Sequence, residues 1–143
     1  STARFLGEAL GFAPMGEEGG WHRFGVDGGG SGKWIDVREL PAERRGSWGT
    51  GAVHHVAFRV PDTDYEAWAD RLNQVRLPSS GPVDRFYFRS LYFREPNGIL
   101  FEIATDGPGF ATDEPMDKLG ERLSLPPFLE PRRGQIEAGL KPL

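Results

Sequence analysis

The spacing of apolar residues predicts two helices separated by several short strands. Phe5, Leu6 and Leu10 share one stripe and Gly11 is a natural stop, which predicts an amphipathic helix over 3–11. A second helix is expected over 64–75, after the Pro-Asp-Thr-Asp start signal. Runs that alternate or are rich in apolar and aromatic residues predict strands at 21–26, 33–40, 53–60, 83–94 and 99–105.

The two halves of the chain carry the same pattern. Gly32 precedes Asp36 by four residues, and Gly98 precedes Glu102 by four, each time in an apolar strand with a helix upstream. We interpret this as a duplicated helix-plus-hairpin unit. The predicted fold class is α+β, with repeated βαβββ modules that form a curved mixed sheet around a cup and place the helices outside.

The repeat predicts a division of the chain into three segments. Residues 1–46 are expected to be an incomplete first βαβββ module, residues 47–106 a complete second module, and residues 107–143 a C-terminal tail that wraps the domain. The first module lacks its opening strand because the sequence starts at the helix, so we expect the polypeptide to begin inside a module. The alternative is a family member that dispenses with that strand.

Composition narrows the function classes. The chain has 143 residues, no cysteine and a formal charge of −4 with both signs interspersed. Disulfides and thiolate metal sites are therefore excluded, and no basic surface for nucleic acid is visible. No apolar run is long enough to span a bilayer, so we expect no membrane partner. These features fit a cytoplasmic enzyme.

Strand alternation predicts which polar side chains meet. If the apolar residues of strands 53–60 and 99–105 face the helices, His55 and Glu102 both point into the cup, whereas His54 points away. A carboxylate within an apolar strand is costly unless it is paired or binds a metal. A histidine and a glutamate aimed at one cavity are two members of a 2-His-1-carboxylate iron site.

Other interpretations of these residues remain open at this level. Most single histidines are structural or lie on the surface, and Glu102 could form a buried ion pair with an arginine. The candidate arginines for that pair are Arg59, Arg85 and Arg89.

Two segments resemble a known superfamily. Gly51-Ala-Val-His-His-Val-Ala-Phe-Arg-Val60 and Tyr92-Phe-Arg-Glu-Pro-Asn-Gly-Ile-Leu-Phe-Glu-Ile103 resemble the glyoxalase/bleomycin-resistance/extradiol-dioxygenase (vicinal-oxygen-chelate) signature. Further segments make the chain most similar to the carboxy-terminal half of hydroquinone-type ring-cleaving dioxygenases. These segments are Arg44-Arg-Gly-Ser-Trp48, Asp106-Gly-Pro-Gly-Phe-Ala-Thr-Asp-Glu114 and Leu125-Pro-Pro-Phe-Leu-Glu-Pro-Arg-Arg133.

The resemblance implies roles for four residues, and we add a fifth. It assigns His55 and Glu102 as metal ligands, with the remaining histidine ligand in the half absent here. It implies that Arg85 and Tyr92 assist the reaction without binding the metal, and we add His54. All three are candidate hydrogen-bond donors to the substrate oxyanion or to bound oxygen. The alternatives are a core aromatic for Tyr92 and a solvated loop charge for Arg85. Their offset of seven residues requires a bulge, or a loop position for Arg85.

The resemblance therefore implies a non-haem Fe(II) dioxygenase, with Mn(II) as the alternative metal, that cleaves hydroquinone-like dihydroxylated aromatics with O₂. Two other functions share the fold. They are a glyoxalase-like metal-dependent isomerase or transferase, and a non-enzymatic binding module of the bleomycin-resistance type. We also expect the sheet edge beside residues 1–46 to need a partner, either the missing N-terminal half or another copy of the chain in a homo-oligomer.

Overall fold

The structure is a computed structural model that describes residues 1–43 and 46–141. Its α-helices are α1 (Thr2–Glu8), α2 (Tyr65–Gln74) and α3 (Arg133–Gly139). Its strands are β1 (Ala13–Glu18), β2 (Trp21–Gly25), β3 (Trp34–Arg38), β4 (Val56–Val60), β5 (Val83–Asp84), β6 (Arg89–Arg94) and β7 (Leu100–Thr105).

The strands form two sheets. The first has the order β1-β2-β3 and is antiparallel throughout. The second has the order β4-β7-β6-β5, with β4 parallel to β7 and the other pairs antiparallel. The predicted α+β class is therefore confirmed, with a mixed sheet in the second half. The strands divide into two separate sheets in the described residues, since β3 and β4 are not paired.

The sequence missed one strand. β1 carries Pro14 and Gly16, two residues that disfavour strands, and all six of its residues are exposed, so it lacks an alternating apolar face. The pairing with β2 shifts register between Pro14 and Gly16, which is how the strand accommodates them. The first helix also ends at Glu8, three residues before the predicted stop.

All five predicted strands are shorter than expected, and two of the differences affect the residues proposed for the site. The strand predicted over 53–60 begins only at Val56, so the His-His pair precedes it. The stretch predicted over 83–94 is divided into β5 and β6 by a tight turn, in which the Arg85 amide donates to the Phe88 carbonyl over 2.9 Å. Arg85 therefore occupies a turn, which is the second of the two explanations that its spacing from Tyr92 allowed.

One hydrophobic core joins the two sheets. Phe5 of α1 packs on the second sheet, with its ring centroid 5.9 Å from that of Phe101 and 6.2 Å from that of Phe93. Phe12 contacts Phe58 at 5.5 Å. The first sheet contributes its inward face to the same cluster, through Phe24, Val26, Ile35 and Val37. The opposite faces of both sheets are thus turned away from a shared core.

The β6–β7 turn forms where the Asn-Gly pair predicts it. Gly98 has a φ of 89°, in the left-handed region that a glycine adopts at little cost. Glu95, only 2% exposed, accepts hydrogen bonds from the Asn97 amide at 2.6 Å and from the Thr2 hydroxyl at 2.7 Å. This carboxylate therefore fixes the turn and ties it to the start of α1.

The C-terminal tail follows β7 as short 3₁₀ turns and ends in α3. Among the described residues, no helix has the length and apolar character needed to cross a membrane. Arg44 and Arg45, which open one of the motifs quoted above, lie outside the described residues. The division into an incomplete module, a complete module and a tail stays a prediction.

Candidate metal centre

The parallel pairing of β4 with β7 brings His55 and Glu102 together. Ala57 lies opposite Glu102 in the register, and His55, which lies just before the start of β4, reaches the side of the sheet that carries the carboxylate. His55 Nε2 lies 2.7 Å from Glu102 Oε2. The structure thus places the predicted pair in direct contact, on the face turned away from the core.

Glu102 is buried and partly satisfied. It is only 3% exposed, and its second oxygen, Oε1, accepts a hydrogen bond from the Ser90 hydroxyl over 2.5 Å. Ser90 is fully buried on the neighbouring strand β6. Sequence reasoning missed Ser90. Its signal is a small polar residue two positions before Tyr92, and therefore on the same face of that strand.

The arginines proposed as alternative partners of Glu102 are engaged elsewhere. Arg59 pairs with Asp106 at 2.6 Å, and this contact lowers the pKa of the Asp106 carboxyl. Arg89 pairs with Glu66 at 3.2 Å. Arg85 donates to Tyr92. Glu102 therefore faces a histidine and a serine, and none of these three arginines pairs with it.

His54 is closer to His55 than alternation predicts. Because both histidines precede β4, they do not follow its alternation, and their rings meet edge to face with the two Nδ1 atoms 2.8 Å apart. The expectation that they point to opposite faces is therefore wrong. His54 also packs on the ring of Trp48, at 5.3 Å, and Trp48 is 66% exposed. The sequence singled out Trp48 only as part of a motif.

Tyr92 lies beside the pair, and Arg85 reaches it from the turn. Tyr92 is directly opposite Glu102 in the β6–β7 register, and its ring centroid is 6.1 Å from that of His55. The Tyr92 hydroxyl oxygen accepts hydrogen bonds from Arg85 Nε at 3.2 Å and Nη2 at 3.1 Å. The structure therefore brings together all five residues that the sequence proposed for the site.

In the first sheet, Asp36 occupies the position equivalent to Glu102, and an arginine compensates its charge. Asp36 forms a bidentate ion pair with Arg23, at 2.8 and 2.7 Å, and the Arg23 guanidinium lowers the pKa of the Asp36 carboxyl. His22 lies on the surface and pairs with Glu17 at 3.2 Å. Asp36 is therefore paired within the first sheet, and His22 is a surface residue.

One imidazole nitrogen and one carboxylate oxygen converge at the site, and this donor set suits Fe(II) or Mn(II). Within residues 1–43 and 46–141, no group of three or more His, Cys, Asp or Glu side chains is arranged to hold a metal. His55 and Glu102 therefore fit a metal as two of its ligands, and a complete site needs a further donor.

The chain is similar in sequence to two proteins that are named as dioxygenases. The chain is 54% identical over 110 residues to "Putative ring-cleaving dioxygenase MhqA" of Bacillus subtilis, an alignment that covers 76% of this chain and 34% of that protein. It is 39% identical over 131 residues to the chlorohydroquinone/hydroquinone 1,2-dioxygenase of Sphingobium indicum, covering 88% of this chain and 40% of that protein. The chain thus spans less than half the length of the relatives it matches.

The fold and a family model agree with these matches. A crystal structure of a dioxygenase from Bacillus subtilis, itself described as putative, superposes with a TM-score of 0.89 at 43% identity, covering 99% of this chain and 45% of that one. The model of the Glyoxalase/Bleomycin resistance protein/Dioxygenase superfamily matches residues 1–103. The vicinal-oxygen-chelate resemblance of the two signature segments is therefore confirmed, and the chain belongs to the glyoxalase/bleomycin resistance protein/dioxygenase superfamily.

Proposed function

We propose that this chain is the carboxy-terminal half of a non-haem Fe(II) dioxygenase that cleaves the ring of hydroquinone-like dihydroxylated aromatics. The observation that carries the proposal is the 2.7 Å contact between His55 Nε2 and the buried Glu102 carboxylate, beside the Arg85–Tyr92 pair. The name of the Sphingobium relative supports the substrate class. The convergent nitrogen and oxygen donors favour a metal enzyme over a binding module of the bleomycin-resistance type.

His55 and Glu102 would hold the iron, with the third ligand supplied from outside this chain. Iron held by these residues would supply the redox chemistry that a reaction with O₂ needs. Ser90 holds Glu102 Oε1 and so leaves Oε2 directed at the site. When His55 Nε2 is a ligand, His55 Nδ1 carries the proton and donates it to His54 Nδ1, which fixes the orientation of the ligand ring.

Arg85 and Tyr92 would act on the substrate. Two donors from Arg85 occupy the lone pairs of the Tyr92 hydroxyl oxygen, so the hydroxyl proton is left to donate to a substrate oxygen. The Arg85 guanidinium adds positive charge beside the same hydroxyl. Both groups would therefore stabilise negative charge that develops on the ring oxygen during cleavage.

The proposal that the third ligand and a partner strand come from outside this chain can be tested by measuring self-association and iron binding. β3 is paired only on its β2 side in the described residues, so it can accept another strand. We expect the isolated chain to self-associate and to bind Fe(II) weakly, and the full-length protein to hold stoichiometric iron. Size measurement by light scattering and iron quantification would check both. A strictly monomeric chain with a tight iron site of its own would contradict this part of the proposal.

The ligand assignment is tested in the full-length protein by three substitutions. We expect His55→Ala and Glu102→Gln to abolish oxygen uptake with hydroquinone because they lose iron. His54→Ala should retain iron at saturating Fe(II), with affinity weakened by at most about 10–100-fold, because it removes only the hydrogen-bond partner of a ligand. Iron per protein and oxygen consumption are measured for each variant.

His22→Ala is the matched control, since His22 lies on the first sheet and is about half exposed. It should change neither iron content nor turnover. If His54→Ala loses iron and His55→Ala keeps it, the ligand assignment is wrong. If the iron-loaded protein consumes no oxygen with any hydroquinone, the glyoxalase-like isomerase or transferase becomes the better assignment.

A further inference from the structure

The turn that carries Arg85 is held in an unusual backbone conformation. Phe86 has a φ of 71°, in the left-handed region that bulky residues rarely adopt. The Phe86 amide donates to the Asp84 side chain over 2.7 Å, and the Arg85 amide donates to the Phe88 carbonyl over 2.9 Å. Such a conformation persists only where surrounding contacts impose it.

The segment that follows β7 supplies those contacts. The Gly109 amide donates to the Tyr87 carbonyl over 2.8 Å, and the Tyr87 hydroxyl donates to Asp113 Oδ2 over 2.9 Å. The ring of Phe110 packs against Tyr87 at 5.3 Å and against Phe88 at 6.2 Å. Residues 109–113 therefore contact Tyr87, in the middle of the turn, through both its main chain and its side chain.

Tyr87 is suited to a lasting hydrogen bond. Partial burial raises the pKa of its hydroxyl above the ordinary value, a hydrogen bond with Ser124 opposes this shift, and the contact to Asp113 adds to it. The hydroxyl therefore keeps its proton at neutral pH and donates it to the carboxylate. A hydrogen bond between a neutral donor and an ionised acceptor is stronger than one between two neutral groups.

Arg85 depends on the turn for its direction. Its side chain is exposed, and its hydrogen bonds to other side chains within the described residues go to the Tyr92 hydroxyl alone. The guanidinium also lies 5.1 Å from the centroid of the Tyr92 ring. A long exposed side chain has many rotamers, so the backbone of the turn decides how often Arg85 reaches Tyr92.

We propose that the Tyr87–Asp113 hydrogen bond is a latch that positions Arg85 against Tyr92, which makes Tyr87 and Asp113 positioning residues of the site. The inference rests on the proposed function for the role of Arg85 in ring cleavage. Glu102 lies on β7, and the latch connects the segment that follows this strand to the turn that carries Arg85.

The contact is measured directly by NMR on full-length, metal-free protein labelled with ¹⁵N-arginine. The Nε–Hε signal of Arg85 is assigned by its loss in Arg85→Ala, and Tyr92→Phe gives its position without the hydroxyl acceptor. We expect Tyr87→Phe and Asp113→Ala to move the signal toward that position. Asp113→Asn retains an acceptor oxygen and should move it less. Asp117→Ala, an exposed carboxylate nearby on the same segment, is the control and should leave it unchanged.

Turnover of hydroquinone by the iron-loaded protein gives the second readout. We expect Tyr87→Phe to lower kcat by about 10–100-fold through misplacement of Arg85, with little change in KM or iron content. In an Arg85→Ala background the same substitution should have no further effect, because its target is gone.

Two results would overturn the latch. One is an Arg85 signal that does not move in Tyr87→Phe. The other is a fall in kcat from Tyr87→Phe that is as large in the Arg85→Ala background as in the wild type. Failure of the proposed function has a different signature, since Arg85→Ala would then leave turnover unchanged although the Arg85 signal still responds to Tyr87→Phe.

Discussion

The shared core predicts a large loss of stability when the side chain of Phe5 is removed, because this ring packs α1 against the second sheet. Phe5 is 8% exposed and contacts both Phe93 and Phe101. Removing a buried phenylalanine side chain forfeits about 1.5–3 kcal/mol of transfer free energy, and the cavity raises the cost of Phe→Ala in a core to about 3–5 kcal/mol. Because α1 is short and lies at the edge of the core, we expect Phe5→Ala to lower the free energy of unfolding by about 3 kcal/mol.

Urea unfolding followed by circular dichroism and by tryptophan fluorescence would measure this loss. Domains of this size have a stability of about 5–15 kcal/mol, so the loss is a large fraction of the total. The melting temperature should fall by roughly 10 °C. Phe128→Ala is the matched control, because Phe128 is 66% exposed, and it should change stability by no more than about 0.5 kcal/mol.

The shape of the transition tests the reasoning further. The two sheets share one core, so both probes should report one coincident transition, which Phe5→Ala shifts as a whole. A loss below about 1 kcal/mol would show that the helix–sheet contact contributes little. Two separate transitions, of which only one shifts, would show that the halves fold independently, and the reasoning from a shared core would be refuted.

Two further substitutions test local contacts by the same unfolding assay. Glu95→Gln should lower the free energy of unfolding by about 1–3 kcal/mol, because an amide cannot accept all the hydrogen bonds of this buried carboxylate. The control, Glu39→Gln, changes an exposed residue and should be neutral. Equal effects would contradict the proposed role of Glu95 in fixing the turn. Gly29→Ala should destabilise more than Gly28→Ala, because both have a positive φ but only the Cβ at 29 would lie 2.1 Å from Trp34 Nε1. No difference between the two would mean that the Trp34 ring moves aside without cost.

The sequence predicted the arrangement of the site better than the bounds of the elements. The contact between His55 and Glu102 is positioned by the pairing of residue 57 with residue 102 in adjacent strands, although His55 itself lies just before the first paired residue. The predicted strand was three residues too long at its start, and this length produced the wrong orientation for His54. Local alternation holds only where the ladder continues, and the ladder begins at Val56.

Features that depend on tertiary contacts could not be inferred in the same way. β1 carries no apolar alternation, so only its pairing with β2 identifies it as a strand. The turn at Arg85 requires a positive φ at Phe86, which no local residue preference indicates. Ser90 donates to Glu102 across a strand pair whose register the sequence did not specify.

The two carboxylates at equivalent positions, Asp36 and Glu102, differ in how neighbouring residues compensate their charge. Asp36 and Glu102 follow their glycines at the same spacing, and each has one direct neighbour on the adjacent antiparallel strand. The neighbour of Asp36 is Arg23, whose guanidinium takes both carboxylate oxygens and compensates the charge. The neighbour of Glu102 is Tyr92, a neutral residue that leaves the carboxylate to His55. A carboxylate whose charge is already paired gains little from a metal, so of these two positions only Glu102 is left without an arginine to compensate its charge.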